Sequence, residues 1–205
     1  MKKFNSSGAG LRRLRPAFLL LLTACTLAAA DTSFYIAPCT DPSTGCEPGD
    51  LDLARWALQS WQTAAESAPS QNRLHFVETK EESKALLRFV WTSPAGGLYG
   101  ETVGIDVNGK HGSQIYIVNT TRGIPDPLLR DTIVYLTCLH EAGHALGLSH
   151  TDQFADIMYY FGYGGDINEY FGRYRRKLST RDDIRKNSGL SDADRRRLLA
   201  QLPLR

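Results

Sequence analysis

The sequence has little net charge, few histidines and no apolar stretch of membrane-spanning length. The formal charge is only +2 over 205 residues, which argues against a general nucleic-acid partner. No internal repeat or long low-complexity tract is present. Without its N-terminal leader the chain has about 175–180 residues, the length of one domain that can bury a core of its own.

The leader, residues 1–30, carries a basic segment and the short apolar run Ala17–Leu22. Two processing sites fit it. Leu22-Thr23-Ala24-Cys25 resembles a bacterial lipoprotein box, in which Cys25 becomes the lipidated first residue. Ala28-Ala29-Ala30 matches the A-x-A pattern for cleavage after Ala30, which leaves residues 31–205 as a single domain. Both alternatives predict an exported protein, either lipid-anchored at a bacterial cell envelope or secreted.

Only four cysteines are present, and two of them lie close together. Cys39 and Cys46 bracket a turn-rich loop, and in an exported protein this spacing favours a local disulfide. The alternative, a thiolate that blocks a metal site, is not supported by the flanking residues. Cys138 lies two residues before a histidine on a predicted helix and is expected to be a small buried residue.

Three of the five histidines lie in the segment 140–150, which reads H-E-x-x-H-x-x-G-x-x-H. Residues four apart project from one face of a helix, so His140 and His144 can direct two imidazoles at one ion. Gly147 can adopt the left-handed conformation that ends the helix and returns His150 to that ion. Three neutral imidazoles leave one position of a tetrahedral zinc open, which is typical of a catalytic site.

Glu141 neighbours the first ligand on the helix. It is close enough to reach a water on the ion but poorly placed to be a ligand, so we predict that it is the general base. The alternative is a helix whose histidines merely satisfy hydrogen bonds in the core. That alternative makes the glutamate, the glycine and the third histidine coincidences.

The extended motif resembles that of the metzincin metallopeptidases, and the downstream sequence strengthens the resemblance. Residues 156–160, DIMYY, look like the Met-turn of that clan, and the spacing from His150 to Met158 looks most like the matrixin branch. Ser191 with Asp194 resembles the start of the last matrixin helix. Two features depart from that branch. There is no Pro-Arg-Cys-Gly latency motif, and the segment 161–189 is longer than a compact matrixin needs.

The resemblance implies an α+β fold, with a twisted mixed sheet over two long helices. A small C-terminal subdomain would bear the Met-turn and the last helix, and the Met158 thioether would lie beneath the histidines without binding the metal. The implied function is a zinc-dependent endopeptidase with one catalytic Zn²⁺. Zinc would activate a water and polarise the peptide carbonyl, and Glu141 would move the proton to the leaving amine.

We expect a monomer that acts on peptide or protein substrates, binds no nucleic acid and meets a membrane only through a lipid anchor. The main alternative is a zinc-containing surface protein that binds peptides without cutting them, against which the intact Glu141 argues. A second alternative, a purely structural zinc module, would need a fourth ligand to close the site.

The resemblance implies two further assignments. In metzincins the strand at this place is the sheet edge that borders the cleft, which assigns that role to Leu98, Tyr99, Gly100, Glu101 and Thr102. An ordinary glycine-rich loop is the alternative. Tyr160 stands two residues after Met158, where astacin-like metzincins carry a tyrosine that can stabilise the oxyanion. Matrixins have a proline there, and the alternative role for Tyr160 is a wall of the cleft.

Apolar patterning predicts the remaining elements. Asp126 is expected to cap the active-site helix, with Pro127 in its first turn. The segment 104–112 is predicted as a turn-rich loop. Asp106, Asn108 and His111 are possible metal ligands in this segment. They are too few, at defined spacings, to support a structural Ca²⁺ or a second Zn²⁺. We also predict strands over 34–36, 74–77, 85–91 and 113–119 and a helix over 50–68. The basic run at 173–177 is expected to be a solvated surface, and the alternative is that it favours acidic substrates.

Overall fold

One mixed five-stranded sheet forms the framework of the domain. The computed structural model describes residues 31–66, 74–93, 99–118, 121 and 123–202. The leader with Cys25, and Leu98 of the proposed edge strand, therefore lie outside the described residues. The strands are β1 (Asp31–Ile36), β2 (His75–Glu78), β3 (Leu87–Thr92), β4 (Gly100–Val107) and β5 (Lys110–Val118).

The strand order is β2-β1-β3-β5-β4, so β4 is one edge of the sheet. The pairs β1–β2, β1–β3 and β3–β5 are parallel, and β4 runs antiparallel to β5. The α-helices of the described residues are α1 (Asp50–Ala65), α2 (Pro127–Ala145), α3 (Ile167–Arg175) and α4 (Asp192–Gln201). The predicted α+β class, with a mixed sheet and two long helices, is confirmed.

Helix α2 begins and ends as its sequence predicts. The Asp126 side chain accepts hydrogen bonds from the backbone N–H groups of Leu128 and Leu129, which have no partner within the helix. Gly147 follows the helix with a φ of 87°, a conformation that residues with a Cβ rarely adopt. These two ends determine which residues of the metal motif are helical and which are not.

A buried apolar core joins α1 and α2 to the sheet. Trp61 of α1 is fully buried, and its indole N–H donates to the carbonyl of Leu139 on α2 at 2.9 Å. The inward residues of β3, Leu87, Phe89 and Trp91, belong to the same core. The contact of Trp61 with Leu139 thus fixes α2 against α1. No helix in the described ranges is long and apolar enough to cross a membrane.

The prediction of a turn-rich loop at 104–112 is wrong, because this segment forms the tip of the β4–β5 hairpin. Asn108 and Gly109 join the strands with φ values of 54° and 76°, and two successive positive φ angles are typical of a type I′ turn. Asn-Gly between two strands is a strong hairpin signal. The other glycines of the segment favoured a loop prediction instead. Asp106 and His111 form a cross-strand pair there and belong to no metal-binding group among the described residues.

Candidate metal centre and cleft

The three motif histidines meet at one point beside α2. The Nε2 atoms of His140 and His144 lie 3.3 Å and 3.1 Å from Nε2 of His150. Helical spacing brings the first two together. The third returns because the Leu148 N–H bonds to the Gly143 carbonyl at 3.0 Å, immediately after the left-handed turn.

Hydrogen bonds determine which ring nitrogens are free. His140 Nδ1 lies 2.6 Å from the Ile157 carbonyl, and His144 Nδ1 lies 2.8 Å from the Leu148 carbonyl. A carbonyl only accepts, so both Nδ1 atoms carry a proton, and Nε2 is the ring nitrogen of each histidine that is left to bind an ion. Burial lowers the pKa of His140 to about 4 and lowers that of His150 as well, which keeps both rings neutral at pH 7.

This donor set fits a zinc ion. Neutral imidazoles with Nδ1 bound to backbone carbonyls are the usual form of zinc-ligating histidine. In the part of the chain that the structure describes, no cysteine, aspartate or glutamate joins the three histidines as a fourth ligand.

Glu141 is buried next to this group, with 5% of its surface exposed. The pKa of its carboxyl is raised to about 7, chiefly by burial and to a smaller extent by Glu101, while the hydrogen bond from Thr102 lowers it. The Thr102 hydroxyl lies 2.8 Å from Glu141 Oε2 and 2.9 Å from the Glu141 carbonyl, and it donates to one of them at a time. A carboxyl with a pKa near neutrality is suited to general-base catalysis.

Two residues predicted to bind substrate also support this carboxylate. Gly100 and Thr102 alternate along β4 and therefore share the sheet face that meets α2. A Cβ at position 100 would lie 2.7 Å from Glu141 Oε1, so only glycine leaves room for the carboxylate. Glu101, between them, is exposed at the cleft. The alternation was present in the sequence, but the contact with Glu141 depends on how β4 packs against α2.

Met158 is fully buried against α2. Its sulfur lies where a side chain at Gly143 would begin, and Trp61 lies on the other side of the same space. Gly143 stands between the two helical histidines in the sequence, and its missing Cβ lets the thioether approach the helix at this position. The sequence motif leaves this position unspecified, and only the packing shows that it must be small.

The loop that carries Met158 is anchored to α4 through two buried carboxylates. Asp156 accepts hydrogen bonds from Thr151, Ser191 and Arg197. Although burial opposes it, these donors lower the pKa of Asp156 below its usual value. Asp194 caps α4 through a capping box with Ser191 and also accepts from the Ile157 N–H at 2.9 Å. Asp194 of the last helix therefore holds Ile157, whose carbonyl orients His140.

A cleft of about 700 Å³ runs past the histidines and Glu141, between β4 and α3. Tyr160 is half exposed in it, and its ring stacks on His150 with 4.8 Å between centroids. The wall beyond is aromatic, formed by Tyr99, Tyr159, Phe161, Tyr170 and Phe171.

The basic run at 173–177 does not line this cleft. Arg173 packs over the rings of Phe154 and Tyr170, Arg175 bonds to Asp126, and Arg176 pairs with Glu169. Only Arg176 and Lys177 are exposed, so the run is less solvated than predicted. It offers no positive surface to a substrate in the cleft.

The cysteines lie outside the metal centre. Cys39 and Cys46 are joined in a disulfide with 5.3 Å between their Cα atoms, in the loop before α1. Cys138 is a free, fully buried thiol, and burial raises its pKa well above the usual value. None of the three belongs to the histidine group.

No protein-family model matches the sequence, and no curated protein matches it either. A functional conclusion therefore has to come from the site itself.

Proposed function

We propose that the protein is an exported zinc-dependent endopeptidase of the metzincin type, similar to matrixins, with Glu141 as general base. One observation carries the proposal: three histidine side chains converge beside a buried carboxylate, and all four residues line a cleft. Three ligands leave a coordination position for chemistry, whereas a structural zinc site is usually closed by four.

The chemistry divides between the ion and the residues around it. A zinc ion held by His140, His144 and His150 would supply Lewis acidity, which lowers the pKa of water and polarises a peptide carbonyl. Glu141 can take a proton from that water and deliver it to the leaving amine, because its pKa lies near neutrality. Thr102 holds one oxygen of the carboxylate, and the glycine at position 100 leaves space for the other.

The position of β4 supports an extended peptide as substrate. This strand pairs with β5 on one side and with no strand on the other among the described residues. An extended peptide can add to such an edge through backbone hydrogen bonds. Because Gly100 and Thr102 contact Glu141, a peptide on this edge would pass the general base.

The test is Glu141→Gln, which keeps the shape of the side chain and removes its basicity. We expect the variant to bind zinc as the unmodified protein does and to cleave a good peptide about 10²–10⁴-fold more slowly. Elemental analysis and a fluorogenic peptide library measure the two properties. Near-normal turnover would exclude Glu141 as the base. An unmodified protein that binds peptides without cutting them would support the non-catalytic alternative.

Export is proposed from the leader alone. Mass spectrometry of the N-terminus in cells distinguishes a lipid-modified Cys25 from a chain that begins at Asp31. A chain that still begins at Met1 would contradict export.

A further inference from the structure

Helix α3 reaches the metal centre through one buried hydroxyl. The Tyr170 hydroxyl lies 3.0 Å from the Asp156 carbonyl and 3.2 Å from the Ile157 carbonyl. The Ile157 carbonyl is the same group that accepts from His140 Nδ1 at 2.6 Å. One carbonyl oxygen thus faces a metal ligand and a tyrosine, and its two lone pairs suffice for both.

The Tyr170 ring is held firmly enough to place this hydroxyl. It is 4% exposed and packs edge-on against Phe154, Phe161 and Phe171, with centroid distances of 5.0–5.6 Å. The Arg173 guanidinium covers the ring at 4.5 Å. Fixed neighbours make the hydroxyl a rigid donor.

We infer that Tyr170 is a positioning residue for the metal ligand His140. Its single hydroxyl proton is shared between the Asp156 and Ile157 carbonyls, and this contact holds the Ile157 carbonyl where it accepts the hydrogen bond from His140 Nδ1. His140 Nε2 is thereby directed at the other two histidines. The inference rests on the proposed function only in requiring a metal at the three histidines. It assigns a role to α3, which lies in the segment that the matrixin resemblance does not account for.

The same helix offers a matched control. Tyr174 is also buried, and its hydroxyl donates to a backbone carbonyl, that of Asn187. Its ring stacks on Tyr135, and no hydrogen bond connects it to the metal ligands among the described residues. Tyr170→Phe and Tyr174→Phe therefore each remove one carbonyl-bound hydroxyl from α3 and keep the ring.

The experiment measures the zinc dissociation constant of each purified protein by competition with a chromophoric chelator. Urea unfolding of the metal-free proteins measures the loss of stability separately. We expect Tyr170→Phe to weaken zinc binding about 10–100-fold, as is typical when a partner of a metal-bound histidine is lost. We expect Tyr174→Phe to bind zinc like the unmodified protein, although both variants lose stability. NMR of Tyr170→Phe should show faster exchange of the His140 Nδ1 proton.

Zinc binding by Tyr170→Phe equal to that of the unmodified protein would overturn the inference. Equal weakening in both variants would also overturn it, because that result indicates general loosening of α3. Failure of the proposed function gives a different result: zinc binds and responds to Tyr170→Phe, but no peptide is cleaved. An unmodified protein that binds no zinc would overturn both.

Discussion

Single side chains set the chemistry of this site, and most of them act through one hydrogen bond. His140 and His144 are fixed as Nδ1–H tautomers by two backbone carbonyls. Burial raises the pKa of the Glu141 carboxyl, and the Thr102 hydroxyl donates a hydrogen bond to it. The role of each residue therefore depends on a specific partner, and the Thr102 hydroxyl is a partner that a substitution can remove.

Thr102→Val removes the hydroxyl beside Glu141 and keeps the shape of the side chain. A hydrogen bond to a charged group contributes about 1.5–3 kcal/mol, so we expect kcat/KM to fall about 10–100-fold with unchanged zinc content. Steady-state kinetics and elemental analysis measure this. The control is Thr132→Val in α2, because the buried Thr132 hydroxyl has no hydrogen-bond partner among the described residues. If both variants cleave peptides at the unmodified rate, Thr102 does not position the base.

Tyr160→Phe tests the oxyanion role that the resemblance assigns to this tyrosine. We expect a lower kcat with little change in KM, since a transition-state donor contributes up to about 3–4 kcal/mol and a half-exposed phenol contributes less. Tyr163→Phe is the control, because Tyr163 neighbours Tyr160 and is more exposed. An unchanged kcat would leave Tyr160 as a wall stacked on His150.

Secondary-structure elements bring these residues together, and the loop that carries Met158 is held by α4 and its N-cap. The carboxylate of Asp156 is 2% exposed and joins the turn to Ser191 and Arg197. The sequence pattern indicated the turn and the helix cap separately. It did not indicate that they share hydrogen bonds, because those contacts join residues 35 and 41 positions apart.

Asp156→Asn should lower the free energy of unfolding by about 2–4 kcal/mol at pH 7. Native hydrogen bonds lower the pKa of Asp156, so its contribution is complete above the unfolded pKa, about 3.9, and is lost as pH falls through the folded pKa. Urea unfolding at pH 7 and pH 3 should show the difference from the unmodified protein shrinking at the lower pH. The exposed Asp152, replaced by Asn, is the control, and a constant difference would contradict this reasoning.

The edge strand carries one free charge at the cleft. Glu101 is exposed there and takes part in no ion pair in the described ranges. We expect peptides with lysine to be cleaved in preference to matched peptides with glutamate, and Glu101→Gln to reduce that ratio about 1.5–5-fold. The ratio of kcat/KM cancels any effect of the variant on Glu141. A ratio that does not change would show that Glu101 does not contact the substrate.

At the scale of the whole molecule, features that depend on local geometry could be predicted from the sequence. Helical spacing indicated the histidine pair, Asp126 indicated the start of α2, and Gly147 indicated its end. Apolar patterning indicated separate strands and helices, and the α+β class was implied by the resemblance to metzincins. Contacts between distant segments could not be predicted, such as that of Thr102 with Glu141 or of Tyr170 with the Ile157 carbonyl. They depend on how β4 and α3 pack against α2, which no local pattern specifies.

Zinc removal and restoration tests the proposed activity most directly. The purified protein is assayed on a peptide library as isolated, after treatment with a chelator, and after addition of one equivalent of Zn²⁺. We expect about one zinc per chain, cleavage that the chelator abolishes, and recovery of cleavage when the ion returns. Undiminished cleavage by a preparation shown to be metal-free would contradict a zinc peptidase.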